Sequence, residues 1–108
     1  MNAPEAVFSV EPVVHRALGP LRRLRVGDFV DLRLTPQEAS TLALALHAVR
    51  EGRSAERQLF LSPIASDGHF NGIVGPDGLT ITCVQGQQQA DVWLDWGSVE
   101  SLALALAA

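Results

Sequence analysis

The sequence predicts an α+β fold: a two-layer sandwich in which two helices cover one face of an antiparallel sheet of four to five strands, in the approximate order β-β-α-β-β-β-β-α. Three observations support this class. Two Leu/Ala-rich segments, near residues 36–50 and 98–107, repeat apolar residues at helical spacing. Segments between residues 58 and 96 alternate apolar and polar residues, as half-buried strands do. Short turns rich in Gly and Asp join these segments, which favours antiparallel pairing.

Composition and length indicate one domain with a substantial core. The chain has 108 residues, of which 47% are hydrophobic and 19% charged, so wholesale disorder is excluded. We assign residues 1–20 to an N-terminal lead-in that prolines interrupt, with room for one short edge strand at Val7–Val10. Residues 21–108 are expected to form a single α+β domain.

The first firm strand is predicted over Leu24–Leu34. Val30, Leu32 and Leu34 fall on one face of this strand, with polar residues between them. Gly27 and Asp28 mark a bend or turn that could split the strand in two.

The first helix has a clear start and end. Thr35 suits the N-cap position, and Glu38, three residues later, completes a capping box. Pro36 suits the first helical position, and Gly52 is a natural C-cap. The apolar stripe of this helix consists of Ala39, Leu42, Leu46 and Val49.

Four strands and a second helix complete the chain. The strands are predicted over Gln58–Ile64, His69–Val74, Leu79–Val84 and Asp91–Trp96. Gly75–Gly78 is a hairpin turn, and Gln85–Gln89 is a polar loop. The second helix is predicted over about Ser98–Ala107 with Asp95 or Ser98 as its cap, and its stripe consists of Val99, Leu102 and Leu106.

Both helices carry more apolar surface than one sheet contact needs. Leu44 and Leu104 lie outside the two stripes, and a helix that is apolar around most of its girth is usually buried on two sides. We therefore predict a homodimer, packed through the helices or through the sheet face away from them. That face is expected to hold Phe29, Asp31, Arg33, Phe60, Thr80, Thr82, Trp93 and Asp95. The interface candidates are Leu44, Leu104, Phe29, Phe60 and Trp93.

The two helical segments also resemble each other. Thr41–Leu46 and Ser101–Leu106 share the run Leu-Ala-Leu-Ala-Leu. Ala and Leu are the strongest helix formers, so the similarity predicts two ordinary helices and no internal repeat.

Missing residue types exclude several enzyme classes. All eight basic residues are Arg, so the chain has neither a Schiff-base lysine nor a P-loop lysine, and without Tyr it has no tyrosine acid. Cys83, the single cysteine, is in phase with Leu79 and Ile81 and is expected in the core. We predict no enzyme activity, no cofactor and no metal site.

Two polar groupings are better explained by structure than by catalysis. The run from Ser66 to His69, Ser-Asp-Gly-His, contains the residue types of a hydrolase triad, but Asp and Gly side by side more simply predict a turn. His15, His47 and His69 lack metal-ligand spacing, so surface or capping roles are expected.

The sequence also bears on location. No segment reaches the ~18 apolar residues that a membrane-spanning helix needs. Met1–Val14 lacks the basic start and apolar centre of a secretory signal. We expect a cytoplasmic protein without membrane contact.

Charge is distributed unevenly. The net charge is -4, but residues 1–57 hold all eight Arg against seven acidic residues, and residues 58–108 hold five acidic residues and no Lys or Arg. The arginines of the first half can form ion pairs with acidic residues of the same chain. Alternatively, copies of the chain can associate through complementary charged patches.

The function expected from these features is a non-enzymatic interaction or accessory domain that acts as a homodimer, with a further protein partner. The alternative is a single-stranded nucleic-acid-binding or transcription-associated protein. It would use an Arg patch, Arg22, Arg23, Arg25 and Arg33, together with sheet aromatics. Its strand–helix order is similar in topology to small sheet-plus-helix coactivators that bind single-stranded DNA as dimers. The net negative charge disfavours this alternative. A small-molecule sensor with a pocket near Phe70 and Trp96 is third.

Overall fold

In the computed structural model, which describes residues 8–26 and 30–108, seven strands and two helices follow the order β-β-β-α-β-β-β-β-α in the described part of the chain. The strands before the first helix are β1 (Phe8–His15), β2 (Gly19–Val26) and β3 (Val30–Leu34). The remaining elements are α1 (Pro36–Arg50), β4 (Gln58–Leu61), β5 (Gly68–Val74), β6 (Gly78–Gln85), β7 (Gln88–Asp95) and α2 (Trp96–Ala107).

The α+β class is confirmed, but the strands form two sheets and not one. An antiparallel three-stranded sheet has the order β1-β2-β3, and an antiparallel four-stranded sheet has the order β4-β5-β6-β7. The single strand predicted over Leu24–Leu34 is wrong: β2 and β3 pair with each other, as a split at Gly27 and Asp28 would produce. The predicted bend itself falls on residues 27–29, which lie outside the described residues.

Side chains, not a backbone ladder, join the outer edge of β3 to the four-stranded sheet. The backbone N–H of Asp31 donates to Oε1 of Gln85 at 2.9 Å. The backbone N–H of Arg33 donates to the hydroxyl of Ser66, which donates in turn to the Arg33 carbonyl oxygen at 3.1 Å. These bonds satisfy backbone groups that another strand would otherwise pair. The three-stranded sheet therefore ends at β3.

The alternation predicted for the second half of the chain is confirmed. Leu79, Ile81 and Cys83 are fully buried on the face of β6 that meets the helices. The backbone N–H of Gly75 donates to the carbonyl oxygen of Gly78 at 2.9 Å and closes the predicted hairpin turn. The polar loop expected over Gln85–Gln89 is shorter than predicted, because β6 and β7 pair up to Gln85 and Gln88. A left-handed glycine, Gly86 with φ of 59°, makes this two-residue turn.

Both helices begin at the caps that their sequences contain. Thr35 and Glu38 form the complete capping box: each side chain accepts a hydrogen bond from the backbone N–H of the other residue. Asp95 caps α2 by accepting from the backbone N–H of Ser98 at 2.8 Å. The second helix therefore starts at Trp96, two residues earlier than predicted, and Trp96 belongs to the helix and not to the last strand.

One hydrophobic core joins the helices to both sheets. All seven predicted stripe residues of the two helices are buried in it, together with side chains from β2, β3 and the inner face of the four-stranded sheet. Neither described helix has the length and apolar character needed to cross a membrane.

Candidate functional site

The shared Leu-Ala-Leu-Ala-Leu run of the two helices adopts the same environment in both. Leu42 and Leu46 are buried, and so are their counterparts Leu102 and Leu106. The central leucine of each run points outward: Leu44 is 71% exposed and Leu104 is 67% exposed. The two predicted interface leucines thus occupy equivalent positions on the outer side of the helical layer.

Contacts between the helix ends show that α1 and α2 run antiparallel. Arg50, at the end of α1, donates through Nε to the carbonyl oxygen of Trp96 at 3.3 Å, and its Nη1 lies 3.1 Å from Oε1 of Glu100. Ser40, in the first half of α1, lies on the same groove as Ala107, at the end of α2. Identical runs on antiparallel neighbours are related by an approximate local twofold axis. That axis exchanges Leu44 with Leu104.

A shallow apolar groove separates the two exposed leucines. Its volume is about 350 Å³. We call the surface around it the helical face, which is lined by Ser40, Ala43, Leu44, His47, Ala103, Leu104 and Ala107. The lining contains protruding leucines next to small alanine and serine side chains, so the helical face has both ridges and hollows. Among the described residues that line it, His47 is the only titratable side chain.

Two side-chain pairs lie near the helical face. His47 Nε2 lies 3.0 Å from Oε2 of Glu51, one turn later on α1. The Arg50–Glu100 pair ties the end of α1 to α2. Each pair is partly exposed and contributes little to stability. The paired side chains lie at one end of the groove, and the floor of the groove is apolar.

Phe60 and Trp93, the other predicted interface residues described here, lie on the second exposed surface. We call it the outer sheet face: the side of the four-stranded sheet away from the helices, which carries Phe60, His69, Asn71, Ile73, Thr80, Thr82, Asp91 and Trp93. The rings of Phe60 and His69 stack with centroids 5.2 Å apart. Phe29, the remaining candidate, lies outside the described residues.

The predicted arginine patch is partly neutralised and lies on the other sheet. Arg23 pairs with Asp31 at 2.6 Å and with Glu11 at 3.0 Å, and the hydrogen bond that Arg23 donates to the Asp31 carboxylate raises the pKa of Arg23. Arg25 and Arg33 are exposed on β2 and β3, whereas Arg22 is half-buried. Phe60 and Trp93 belong to the four-stranded sheet, so the structure does not place the arginines and the aromatic rings on one sheet surface.

The residue types of a hydrolase triad are not arranged as one. The Ser66 hydroxyl is bonded to the backbone of Arg33, and the Asp67 carbonyl oxygen accepts from the N–H of Gly86. His69 stacks on Phe60, and His15 accepts hydrogen bonds from two backbone N–H groups of the β1–β2 turn. Within the described residues, no three His, Cys, Asp or Glu side chains form a group that could hold a metal.

Burial makes Cys83 a core residue, as its phase predicts. The thiol is free and fully buried. Desolvation, assisted by the nearby charge of Asp91, raises the pKa of Cys83 to about 12. A thiol with this pKa is protonated at neutral pH and is a poor nucleophile.

Sequence reasoning missed Ile73 as a member of the outer sheet face. Its side chain is 45% exposed. Strand alternation predicts this exposure, because Ile73 falls on the face of β5 opposite to the buried Phe70 and Gly72. The continuous apolar run at the end of β5 made the alternation hard to recognise. The structure also shows a smaller groove between α1 and β4, of about 180 Å³, flanked by Leu42, Leu59 and Glu56.

Comparison with known proteins adds no identification: no protein-family model matches the chain, and no curated protein or solved structure is significantly similar to it.

Proposed function

We propose that this protein is a non-enzymatic interaction domain that acts as a homodimer, and that two copies join through the helical face. The observation that supports the proposal is the equal outward placement of Leu44 and Leu104 beside an uncharged groove floor. Exposed apolar patches of this kind on small domains commonly mark protein interfaces.

A second copy of the chain is the occupant that fits this surface. In a twofold interface, both copies contribute the same patch, so the patch must contain both the protruding side chains and the hollows into which they fit. The helical face meets this requirement because leucine ridges lie next to Ala43, Ala103 and Ser40. Its local twofold relation means that one copy can seat both leucines in equivalent hollows of the other. A partner with a strongly charged surface would find one titratable side chain, His47, among the described residues that line the groove.

The oligomeric state of the full chain tests the proposal. Size-exclusion chromatography with light scattering at micromolar concentration should give about twice the 11.6 kDa chain mass. Leu44→Glu and Leu104→Glu should each give the single-chain mass with an unchanged far-UV circular dichroism spectrum. Ile64→Glu, at an exposed loop residue away from the helical face, is the matched control and should stay dimeric. A monomeric wild-type chain would overturn the proposal.

The same proposal places the domain in the reducing cytoplasm. Its one thiol is buried and unpaired among the described residues, as is ordinary for a protein that is not stabilised by disulfides. Cell fractionation that found the native chain in a secreted or membrane fraction would contradict this placement.

Single-stranded nucleic-acid binding is the second candidate function. Exposed Arg25 and Arg33 favour it, because no carboxylate among the described residues forms an ion pair with either side chain. Fluorescence anisotropy with a labelled oligonucleotide should then show binding that weakens as salt is raised and that Arg25→Ala and Arg33→Ala reduce. Binding that is undetectable at low salt, or insensitive to these substitutions, rejects this candidate.

A further inference from the structure

The outer sheet face exposes three large apolar side chains on a single flat surface. Phe60 is 62% exposed, Trp93 57% and Ile73 45%. The strand register fixes their arrangement: Trp93 lies opposite Thr80, and Thr80 lies opposite Ile73 on the next strand. Phe60 lies on β4 opposite Asn71, which is two residue pairs along the ladder from Ile73. The helices pack against the opposite side of this sheet, and Phe60, on the edge strand, also lines the smaller groove beside α1. The surface shares no residue with the helical face.

The charge on this surface is negative and uncompensated. Asp91 lies on the same face of β7 as Trp93. Among the described residues, its side-chain hydrogen-bond donors are neutral: Thr82 at 2.7 Å and the Gln89 amide at 3.0 Å. These bonds lower the pKa of Asp91, so its carboxylate is ionised at neutral pH. No Lys or Arg follows Arg57 in the chain. Among the described residues, no arginine forms an ion pair with Asp91.

We propose that the outer sheet face docks a segment of a partner protein that presents arginine and apolar side chains on one face. Trp93 and Asp91 supply the cationic part of the site. Two residues apart on one strand face, they are separated by about 7 Å. An arginine guanidinium can stack on the Trp93 ring and at the same time bond the Asp91 carboxylate. Ile73 and Phe60 supply the apolar part, two and three strands further across the sheet.

Charge complementarity favours a basic, apolar segment over a nucleic acid or a second copy of the chain as the occupant of this surface. A nucleic acid would bring its phosphates against Asp91 with no arginine on this surface to receive them. A second copy of the same face would bring two Asp91 carboxylates and two acidic surfaces together. A basic, apolar segment satisfies both features of the surface.

Two synthetic peptides of ten residues provide the probe. In both, every second residue is serine, and the residues between the serines are leucine and a charged residue in turn, arginine in one peptide and glutamate in the other, so that leucine and the charged residue share one face of the extended chain. Each peptide carries a fluorophore for anisotropy with the full-length protein. The arginine peptide should bind at least tenfold more tightly than the glutamate peptide, and its affinity should fall as salt is raised. Equal affinity for the two peptides would overturn the proposal.

Variants locate the binding on this surface. Trp93→Ala and Asp91→Asn should each weaken binding of the arginine peptide at least fivefold. Glu100→Gln removes the same charge as Asp91→Asn but lies on α2, on the opposite side of the sheet, and Ile64→Ala removes exposed apolar surface elsewhere, so neither should change the affinity. Thermal unfolding followed by circular dichroism confirms that each variant is folded, as expected for exposed side chains. Equal loss in Asp91→Asn and Glu100→Gln would mean attraction to net charge and would reject the site.

Two further measurements separate this surface from the other proposals. Leu44→Glu should bind the arginine peptide as tightly as the wild-type chain, whether or not the chain is dimeric. If Trp93→Ala lowers the mass in light scattering, the outer sheet face is an interface between copies and the proposal is wrong. It is also wrong if a single-stranded oligonucleotide displaces the peptide.

Discussion

Leu44 and Leu104 occupy equivalent positions on two antiparallel helices, and their side chains are exposed to nearly the same extent. A partner that contacts both leucines in the same way must present two equivalent contact sites. A second copy of the chain has two such sites, because its own helical face has the same local twofold relation.

Equal sensitivity of the two leucines is the first prediction. Leu44→Ala and Leu104→Ala should each weaken the dimer by a similar factor, on the order of tenfold, because the truncation occurs in both copies and about 1.4 kcal/mol corresponds to tenfold in affinity. Analytical ultracentrifugation over a concentration series measures the two dissociation constants. A large effect at one leucine and none at the other would show that the interface does not follow the local twofold relation.

The buried neighbour provides the control for that measurement. Leu46 is fully buried, so Leu46→Ala should lower the free energy of unfolding by about 2–5 kcal/mol through loss of packing. Leu44→Ala should leave the stability of the isolated chain nearly unchanged. Urea unfolding at a concentration below the dimer dissociation constant separates the two effects.

The capping box at the start of α1 is the subject of the second prediction. Thr35→Ala removes the hydroxyl that accepts from the backbone N–H of Glu38, and it should lower the free energy of unfolding by about 1 kcal/mol. Urea denaturation monitored by circular dichroism provides the measurement. Thr41→Ala, at an exposed position inside the same helix, should be neutral or slightly stabilising because alanine is the better helix former. Equal effects of the two substitutions would contradict the capping role.

The third prediction concerns the reactivity of Cys83. A buried thiol with a pKa of about 12 should react with Ellman's reagent at pH 8 only as fast as the protein opens. One thiol per chain should be titrated at once in 6 M guanidinium. As a control, a Thr80→Cys substitution in the Cys83→Ala background places a thiol on the exposed face of the same strand. This thiol should react within minutes under native conditions. Rapid native labelling of Cys83 would contradict its burial.

Acid sensitivity of the α2 cap is the fourth prediction. Hydrogen bonds from the Ser98 backbone N–H and then the Ser98 hydroxyl lower the pKa of Asp95 in the folded chain. A lowered folded-state pKa means that ionised Asp95 stabilises the fold above its unfolded pKa of about 3.9 and that this contribution is lost as pH falls through the folded value. Asp95→Asn caps without titrating, so it should lose less stability than the wild-type chain below about pH 4.

Thermal unfolding across pH 2 to 7 tests this expectation. Asp77→Asn removes a carboxylate from the turn before β6, where it caps no helix, and should follow the wild-type curve. If Asp95→Asn loses stability in acid as steeply as the wild-type chain, the acid sensitivity arises at other carboxylates.

Local patterns were enough to predict both helices, the capping box of α1 and the alternation of β6 and β7. The cap of α2 was narrowed only to Asp95 or Ser98, and the C-cap of α1 is Glu51, one residue before the predicted Gly52. Thr35 and Glu38 act within one helical turn, and the burial of Cys83 follows from its phase with Leu79 and Ile81. These features depend on neighbours in sequence, which a single sequence contains.

The division into two sheets was not predictable in the same way. It depends on Gln85 and Ser66 reaching the edge of β3 from 54 and 33 residues away in the chain. A side chain that bonds to the edge of a distant strand produces no repeating apolar–polar pattern from which the contact could be predicted. Leu44 was recognised as surplus to the core from its helical phase, but the twofold relation with Leu104 required the antiparallel packing of the helices. The exposure of Ile73 likewise required the strand register.

The bonds that close the edge of β3 also impose an order of events on a growing chain. During synthesis, β3 leaves the ribosome well before Ser66 and Gln85, so its backbone donors are open to other chains until the β5–β6 hairpin forms. Substitution of Gln85 would prolong that interval. Formation of the hairpin therefore also protects the nascent chain, because it ends the period in which β3 of one chain can pair with a strand of another.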